Sequence, residues 1–155
     1  MTIEDDIAFF ERVPTLKMLG RGALRILAIG AESRNVHTGG TLFNAGDDAD
    51  SGYVVQEGSF RLATPRATEQ ANNVTVGVGT LLGELALFTD TKRPVTATAL
   101  EPSTVLRIPR PLFLKMLEGY PDAAARLRDV MAKRVAESDS DMRRIRAVID
   151  LARQK

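Results

Sequence analysis

The sequence contains no cysteine, no tryptophan and a single histidine, His37. Without cysteine there is no disulfide, no thiolate zinc site, no Cys-ligated iron–sulfur cluster and no cysteine nucleophile. One histidine removes His-rich metal sites and argues against a histidine-based triad, so no metal ligand and no catalytic residue is expected. Long apolar runs are missing too. Nothing approaches the roughly 18 residues of a membrane span, and residues 1–10 carry Glu4, Asp5 and Asp6 where a secretory signal needs positive charge. The expected location is the cytoplasm, with no membrane insertion. Charge of one sign is also absent: Lys+Arg 21 against Asp+Glu 20 leaves a net +1, so no global field advertises nucleic acid or a basic partner. What is present is 155 residues, 44% hydrophobic and 26% charged, the balance of one soluble globular domain able to bury a core.

Three textures follow one another along the chain. Thr2 is placed to cap a helix whose first turn holds Glu4 and Asp5, with Ile7, Phe9, Phe10 and Val13 as apolar surface before Pro14. A second helix is expected over residues 22–29, stopped by Gly30. From Val36 to Ile108, short apolar or β-branched runs alternate with turn residues. Residues 41–44, 52–57, 60–63, 74–78, 95–100 and 104–108 read as strands, and the polar stretch 64–73, carrying Pro65, as a hairpin loop. Many short strands in succession indicate a sandwich, jelly roll or small barrel, not βαβ units. After Pro111, Leu112, Phe113, Met116 and Leu117 mark a short helix that breaks at Gly119, Tyr120 and Pro121. Residues 122–152 read as one long helix with a weak joint at 138–141, striped by Leu127, Met131, Val135, Met142, Ile145 and Ile149.

The chemistry concentrates in residues 79–97, G-T-L-L-G-E-L-A-L-F-T-D-T-K-R-P-V-T-A. Gly83 leaves room for close backbone approach, and the four residues after it can form one helical turn whose N–H groups attract an anion. Nine residues beyond Glu84, Arg93 adds a guanidinium that can hold two phosphate oxygens in a fork. The Glu84 carboxylate would repel phosphate but accepts hydrogen bonds from sugar hydroxyls. One carboxylate for a ribose and one arginine for a phosphate describe a nucleotide site. Two rival motifs fail. Residues 77–83 imitate a dinucleotide fingerprint with the wrong spacing and no βαβ unit, and residues 48–52 lack the glutamate that closes a calcium loop.

In these residues the sequence resembles the cyclic nucleotide-binding domain family, shared by catabolite-activator-type regulators, cAMP-dependent kinase regulatory subunits and cyclic-nucleotide-gated channels. The resemblance rests on Gly83-Glu84-Leu85-Ala86-Leu87 followed by Arg93 and Thr96-Ala97, similar to the family's phosphate-binding cassette. Leu42-Phe43-Asn44-Ala45-Gly46-Asp47 and Gly52-Tyr53-Val54-Val55-Gln56-Glu57-Gly58-Ser59 support it upstream. It implies a mostly β fold with flanking helices: an eight-stranded antiparallel, jelly-roll-like β-roll with N-terminal helices, a short cassette helix and a long C-terminal helix. The expected organisation is a single domain over 1–155, with helices in 1–31, the roll in 32–109, the cassette in 82–97 and C-terminal helices in 110–155.

The resemblance also implies the site. Glu84 takes the ribose 2′-hydroxyl, the backbone around Gly83, Leu85 and Ala86 lines the sugar-phosphate, and Arg93 pairs with the cyclic phosphate. Pro94, Val95 and Thr96 complete the set, Thr96 within reach of the phosphate or a syn purine. Val74 and Val76 neighbour the base by strand position, and residues 131–145 supply the lid. One departure matters: the family's small residue with a free N–H after the arginine is here Pro94, which has no N–H. A donor lost from a partly buried phosphate site costs about 1–3 kcal/mol, or roughly tenfold to a hundredfold in affinity.

From Pro121 onward nine Lys/Arg face six Asp/Glu, a modest excess that reads as a solvated face, and the chain ends at Lys155 without a helix-turn-helix, so DNA binding is not expected. The expected function is a stand-alone, non-enzymatic sensor of cAMP or cGMP, without a prosthetic group. It would relay occupancy through its C-terminal helix to an effector protein or to self-association as a homodimer. The rival is a structural or protein-interaction module with a degenerate cassette, favoured by Pro94 and opposed by the Glu84/Arg93 pair.

Overall fold

The structure, a computed structural model, describes residues 2–64 and 73–133. Three helices come first: α1 (Ile3–Phe10), α2 (Pro14–Lys17) and α3 (Arg21–Gly30). Thr2 closes a reciprocal cap on α1, its hydroxyl accepting from the Asp5 N–H at 3.2 Å while the Thr2 N–H donates to the Asp5 carboxylate at 3.1 Å. The four-residue α2, with Pro14 at its first turn, was not foreseen, because so short a helix leaves no periodicity to read.

Among the described residues ten strands follow: β1 (Glu32–Val36), β2 (Thr41–Phe43), β3 (Asp48–Ala49), β4 (Ser51–Glu57), β5 (Phe60–Ala63), β6 (Val74–Val76), β7 (Leu81–Leu82), β8 (Thr91–Lys92), β9 (Thr96–Ala99) and β10 (Ser103–Pro109). Between β7 and β8 lies a single 3₁₀ turn, Glu84–Leu87. The strands form two four-stranded sheets, β1-β10-β4-β7 and β2-β9-β5-β6, with β3 and β8 as a separate ribbon. The strand pairings among the described residues are all antiparallel, the pattern of a β-roll. β1, β3, β7 and β8 were not anticipated: three of them are two residues long, and β1 is mostly exposed and carries no apolar alternation.

The alternation of β4 and β10 divides the core in two. On β4, Tyr53 and Val55 point into the roll, where they meet Phe43, Phe60, Leu82, Ala97, Ala99 and Val105. Val54, between them, points the other way and joins Leu106 and Ile108 of β10 under the helices. Both faces of this central strand pair are therefore covered, which is why β4 is buried from Ser51 to Val55. Ile7, Phe10, Leu24, Leu27, Phe113 and Leu117 fill the helical side.

Arg110–Gly119 forms α4 directly off β10, and Pro121–Lys133 forms α5. Residues 65–72 of the hairpin loop expected at 64–73 and the expected continuation of the last helix through 134–152, with most of the lid stretch, lie outside the described residues. Among the described residues no helix is long and apolar enough to cross a membrane.

Candidate functional site

Arg93, just past β8, is the centre of the site. Its N–H donates to the Asp47 carbonyl and its own carbonyl accepts from the Gly46 N–H, both at 2.8 Å, so the turn before β3 pins its backbone on both sides. The side chain turns inward and is only 4% exposed. Its guanidinium carbon stands 4.4 Å from the Phe43 ring centroid and 5.4 Å from that of Tyr53, and these two rings stack on each other at 5.9 Å. Nη2 donates to the Ser51 hydroxyl at a long 3.4 Å, while Nη1 is buried without a hydrogen-bond partner. Burial pushes the guanidinium pKa down from its ordinary value, and Tyr53 and Asp50 partly offset this. An arginine stays charged regardless. Aromatic faces attract a cation but supply no acceptor for its remaining N–H groups, so the arrangement favours an anion.

Gly83 faces that open valence. Its φ of +76° lies in the left-handed region, and a Cβ on it would collide with Arg93 Nη1 and stand 3.2 Å from the Ser51 carbonyl oxygen. Glycine is needed twice here, for the backbone conformation and for the approach of the arginine. Its carbonyl accepts from the Ala86 N–H at 3.0 Å and closes the 3₁₀ turn. Gly52 serves the far side of this turn: a Cβ there would press to 3.1 Å on the Leu87 side chain, which packs against β4.

Beside this pair opens a cleft of about 320 Å³. Of the residues expected at the site, Gly83, Glu84, Leu85, Ala86, Arg93 and Pro94 line it. Val95 and Thr96 are not in the lining. Val95 packs against the core of the roll, and the Thr96 hydroxyl oxygen accepts from the Ala45 N–H at 2.9 Å, holding β9 to the turn before β3. Val76 also packs against that core, whereas Val74 is half-exposed on β6. Ala49, Thr91 and Lys92 line the cleft without having been foreseen. The β3–β8 ribbon brings them there by setting Ala49 opposite Thr91 and Asp48 opposite Lys92. Ser51, Phe43 and Tyr53 were likewise missed as partners of Arg93, since no local motif marks a pairing across forty residues.

Arg110, the first residue of α4, ties the cassette to the helices. Its Nε donates to the Ala86 carbonyl and its Nη1 to Asp90, both at 2.8 Å, its Nη2 bonds the Ala49 carbonyl, and its backbone N–H donates to the Asp50 carbonyl at 2.9 Å. Phe88, just after the 3₁₀ turn, adds an edge-on contact with Phe113 of α4 at 5.3 Å and 80°. Among the described residues no group of three or more His, Asp or Glu is placed to hold a metal ion.

The family model of the cyclic nucleotide-binding domain matches residues 33–120. The solved structure of a cyclic nucleotide-binding-like protein from Brucella abortus is 35% identical with a TM-score of 0.62, and the match covers 74% of this chain and 98% of that one. The N-terminal domain of a transcriptional regulator from Streptomyces coelicolor is 29% identical with a TM-score of 0.74, covering 84% of this chain and 94% of that one. A lysophospholipase of Chaetomium globosum is 29% identical over 101 residues, which is 64% of this chain and 7% of that protein. The chain thus spans a small fraction of the curated relatives it matches.

Proposed function

The chain belongs to the cyclic nucleotide-binding domain family, and from that premise we propose that the cleft takes cAMP or cGMP, with Arg93 pairing with the cyclic phosphate and Glu84 accepting from the ribose 2′-hydroxyl. The backbone of Gly83, Leu85 and Ala86 lines the sugar-phosphate, and Pro94 shapes the wall without donating. The observation that carries this reading is the buried Arg93 guanidinium, whose Nη1 has no partner in the protein and stands against Gly83. A phosphodiester supplies the acceptor and the negative charge that such a group calls for.

Occupancy is then relayed through the C-terminal helices to an effector protein or to self-association. The support for this is mechanical: Arg110 and the Phe88–Phe113 contact join the cassette to α4. The assignment is one of binding, not turnover. The hydrolytic activity named for the fungal relatives belongs to proteins of which this chain matches 7%.

Titration calorimetry with cAMP and with cGMP tests the proposal. Saturable heat with one of them at sub-millimolar ligand is the expected result, and no heat from either at millimolar ligand overturns it. The second outcome would favour an interaction module with a degenerate cassette, for which Pro94, lacking an N–H at the phosphate wall, is the supporting feature.

A further inference from the structure

Lys92, next to Arg93 in the sequence, is a second cation among the residues that line the same cleft. On β8 it stands opposite Asp48 of β3, and the two side chains form an ion pair. Both are largely exposed, 68% for Lys92 and 87% for Asp48, and Asp48 borders only the neighbouring cleft, whereas Lys92 lines both. An ion pair so exposed couples weakly and is screened by salt, so little holds the ammonium in place.

The donors of the cleft leave Lys92 a task. Arg93, whose Nη2 is shared with the Ser51 hydroxyl, is the one charged donor so far assigned to an entering phosphodiester. Pro94 next to Arg93 has no N–H to share with it. Lysine has a flexible four-carbon stem and three donors, which suits it to turn from one oxygen ligand to another.

We propose that Lys92 is a second phosphate-binding residue, paired with Asp48 in this structure and handed over to the diester phosphate on binding, where it replaces the hydrogen bond that Pro94 cannot give. The proposal rests on the cyclic nucleotide reading of the cleft. Calorimetry on the full chain, with whichever of cAMP and cGMP binds more tightly, would compare Lys92→Gln, Asp48→Asn and the double variant at low and high salt. Lys92→Gln is expected to weaken binding about fivefold to tenfold and to flatten its salt dependence. Asp48→Asn is expected to tighten binding about twofold to fivefold, but to change nothing once Lys92 is glutamine. Unchanged affinity in Lys92→Gln overturns the proposal. Tightening by Asp48→Asn that persists in the double variant also overturns it, since Asp48 would then act by repulsion through space and not by holding Lys92. A wild-type chain that binds neither nucleotide removes the reading of the cleft itself, and that result is distinct because it precedes any variant.

Discussion

Arg93 lies across the face of Phe43 at 4.4 Å with one of its terminal nitrogens unmatched. The ring offsets part of the cost of burying the charge, by about 2 kcal/mol in a desolvated site, but it accepts nothing from Nη1. The native state therefore holds a cation that is packed well and bonded incompletely. That combination favours an anion beside it, and it leaves the ligand-free state with an unmatched buried charge.

The first prediction follows from this imbalance. Arg93→Ala should weaken cyclic nucleotide binding at least about tenfold, because it deletes the fork that meets the phosphate. Arg93→Met, which keeps length without charge, should leave the ligand-free chain at least as stable as wild type, since replacing an incompletely paired buried charge by an apolar side chain is often neutral or stabilising. Scanning calorimetry with and without nucleotide checks both halves. The ligand should raise the wild-type unfolding temperature, by linkage, and raise that of both variants less at the same ligand concentration.

Gly83→Ala should separate two roles of one glycine. Forcing a side chain into the left-handed region costs about 1–2 kcal/mol by itself, and the same cost applies at Gly39, whose φ is +79° and around which there is open space. At Gly83 the new methyl also displaces Arg93 Nη1. Gly83→Ala should thus cost more stability than Gly39→Ala in urea unfolding, and it alone should reduce nucleotide affinity. Equal losses in both measurements would mean that the approach of Arg93 to the glycine is unimportant.

The cassette was readable from the sequence because its chemistry is contiguous: Gly83, Glu84 and Arg93 lie within eleven positions of one another. The strands from 41 to 108 were readable to within a few residues, because apolar pairs such as Val54 and Val55 sit between turn glycines. What escaped was everything that depends on register. Lys92 and Ala49 reach the cleft only because β3 pairs with β8, and two-residue strands have no period to detect. Ser51, Phe43 and Tyr53 surround Arg93 through contacts over forty to fifty positions, for which a single sequence carries no signal. Thr96, expected at the ligand by its place in the motif, also accepts the Ala45 N–H at its hydroxyl oxygen, a contact that the motif did not announce. Local pattern does not reveal which neighbour a hydroxyl will serve.

Asp50 makes a prediction about pH. Its carboxylate accepts from the Ser51 hydroxyl at 3.0 Å and from Arg107 at 3.1 Å. Burial is the largest single influence and raises its pKa, but the Ser51 hydrogen bond and the charge and hydrogen bond of Arg107 together outweigh it, so the pKa lies below the ordinary carboxylate value. A depressed folded-state pKa gives stability that is complete above the unfolded value of about 3.9 and is lost as pH falls through the folded value. Asp50→Asn should therefore lower stability slightly near neutral pH, by less than about 1 kcal/mol because the carboxylate is largely exposed. It should also make the acid limb of unfolding shallower below about pH 4. Urea midpoints measured from pH 7 down to pH 2 would show a gap between wild type and variant that closes with acid. A constant gap would assign the effect to lost packing instead.

Arg110 carries the last prediction. Two of its three side-chain bonds go to carbonyls, of Ala86 in the 3₁₀ turn and Ala49 in β3, and the third goes to Asp90, whose side chain is 98% exposed. Lysine at this position keeps the charge but cannot span three acceptors, so at least one half-buried carbonyl loses its donor. Arg110→Lys should cost about 1–3 kcal/mol in urea unfolding and weaken nucleotide binding, because the turn that lines the cleft is no longer held against the start of α4. Asp90→Asn removes only the exposed charge and should change stability by less than about 0.5 kcal/mol. If the two variants behave alike, the carbonyl bonds contribute nothing, and the connection from cassette to helix rests on Phe88 and Phe113 alone. If Arg110→Lys loses stability but binds nucleotide normally, the clamp is structural and the relay must run elsewhere.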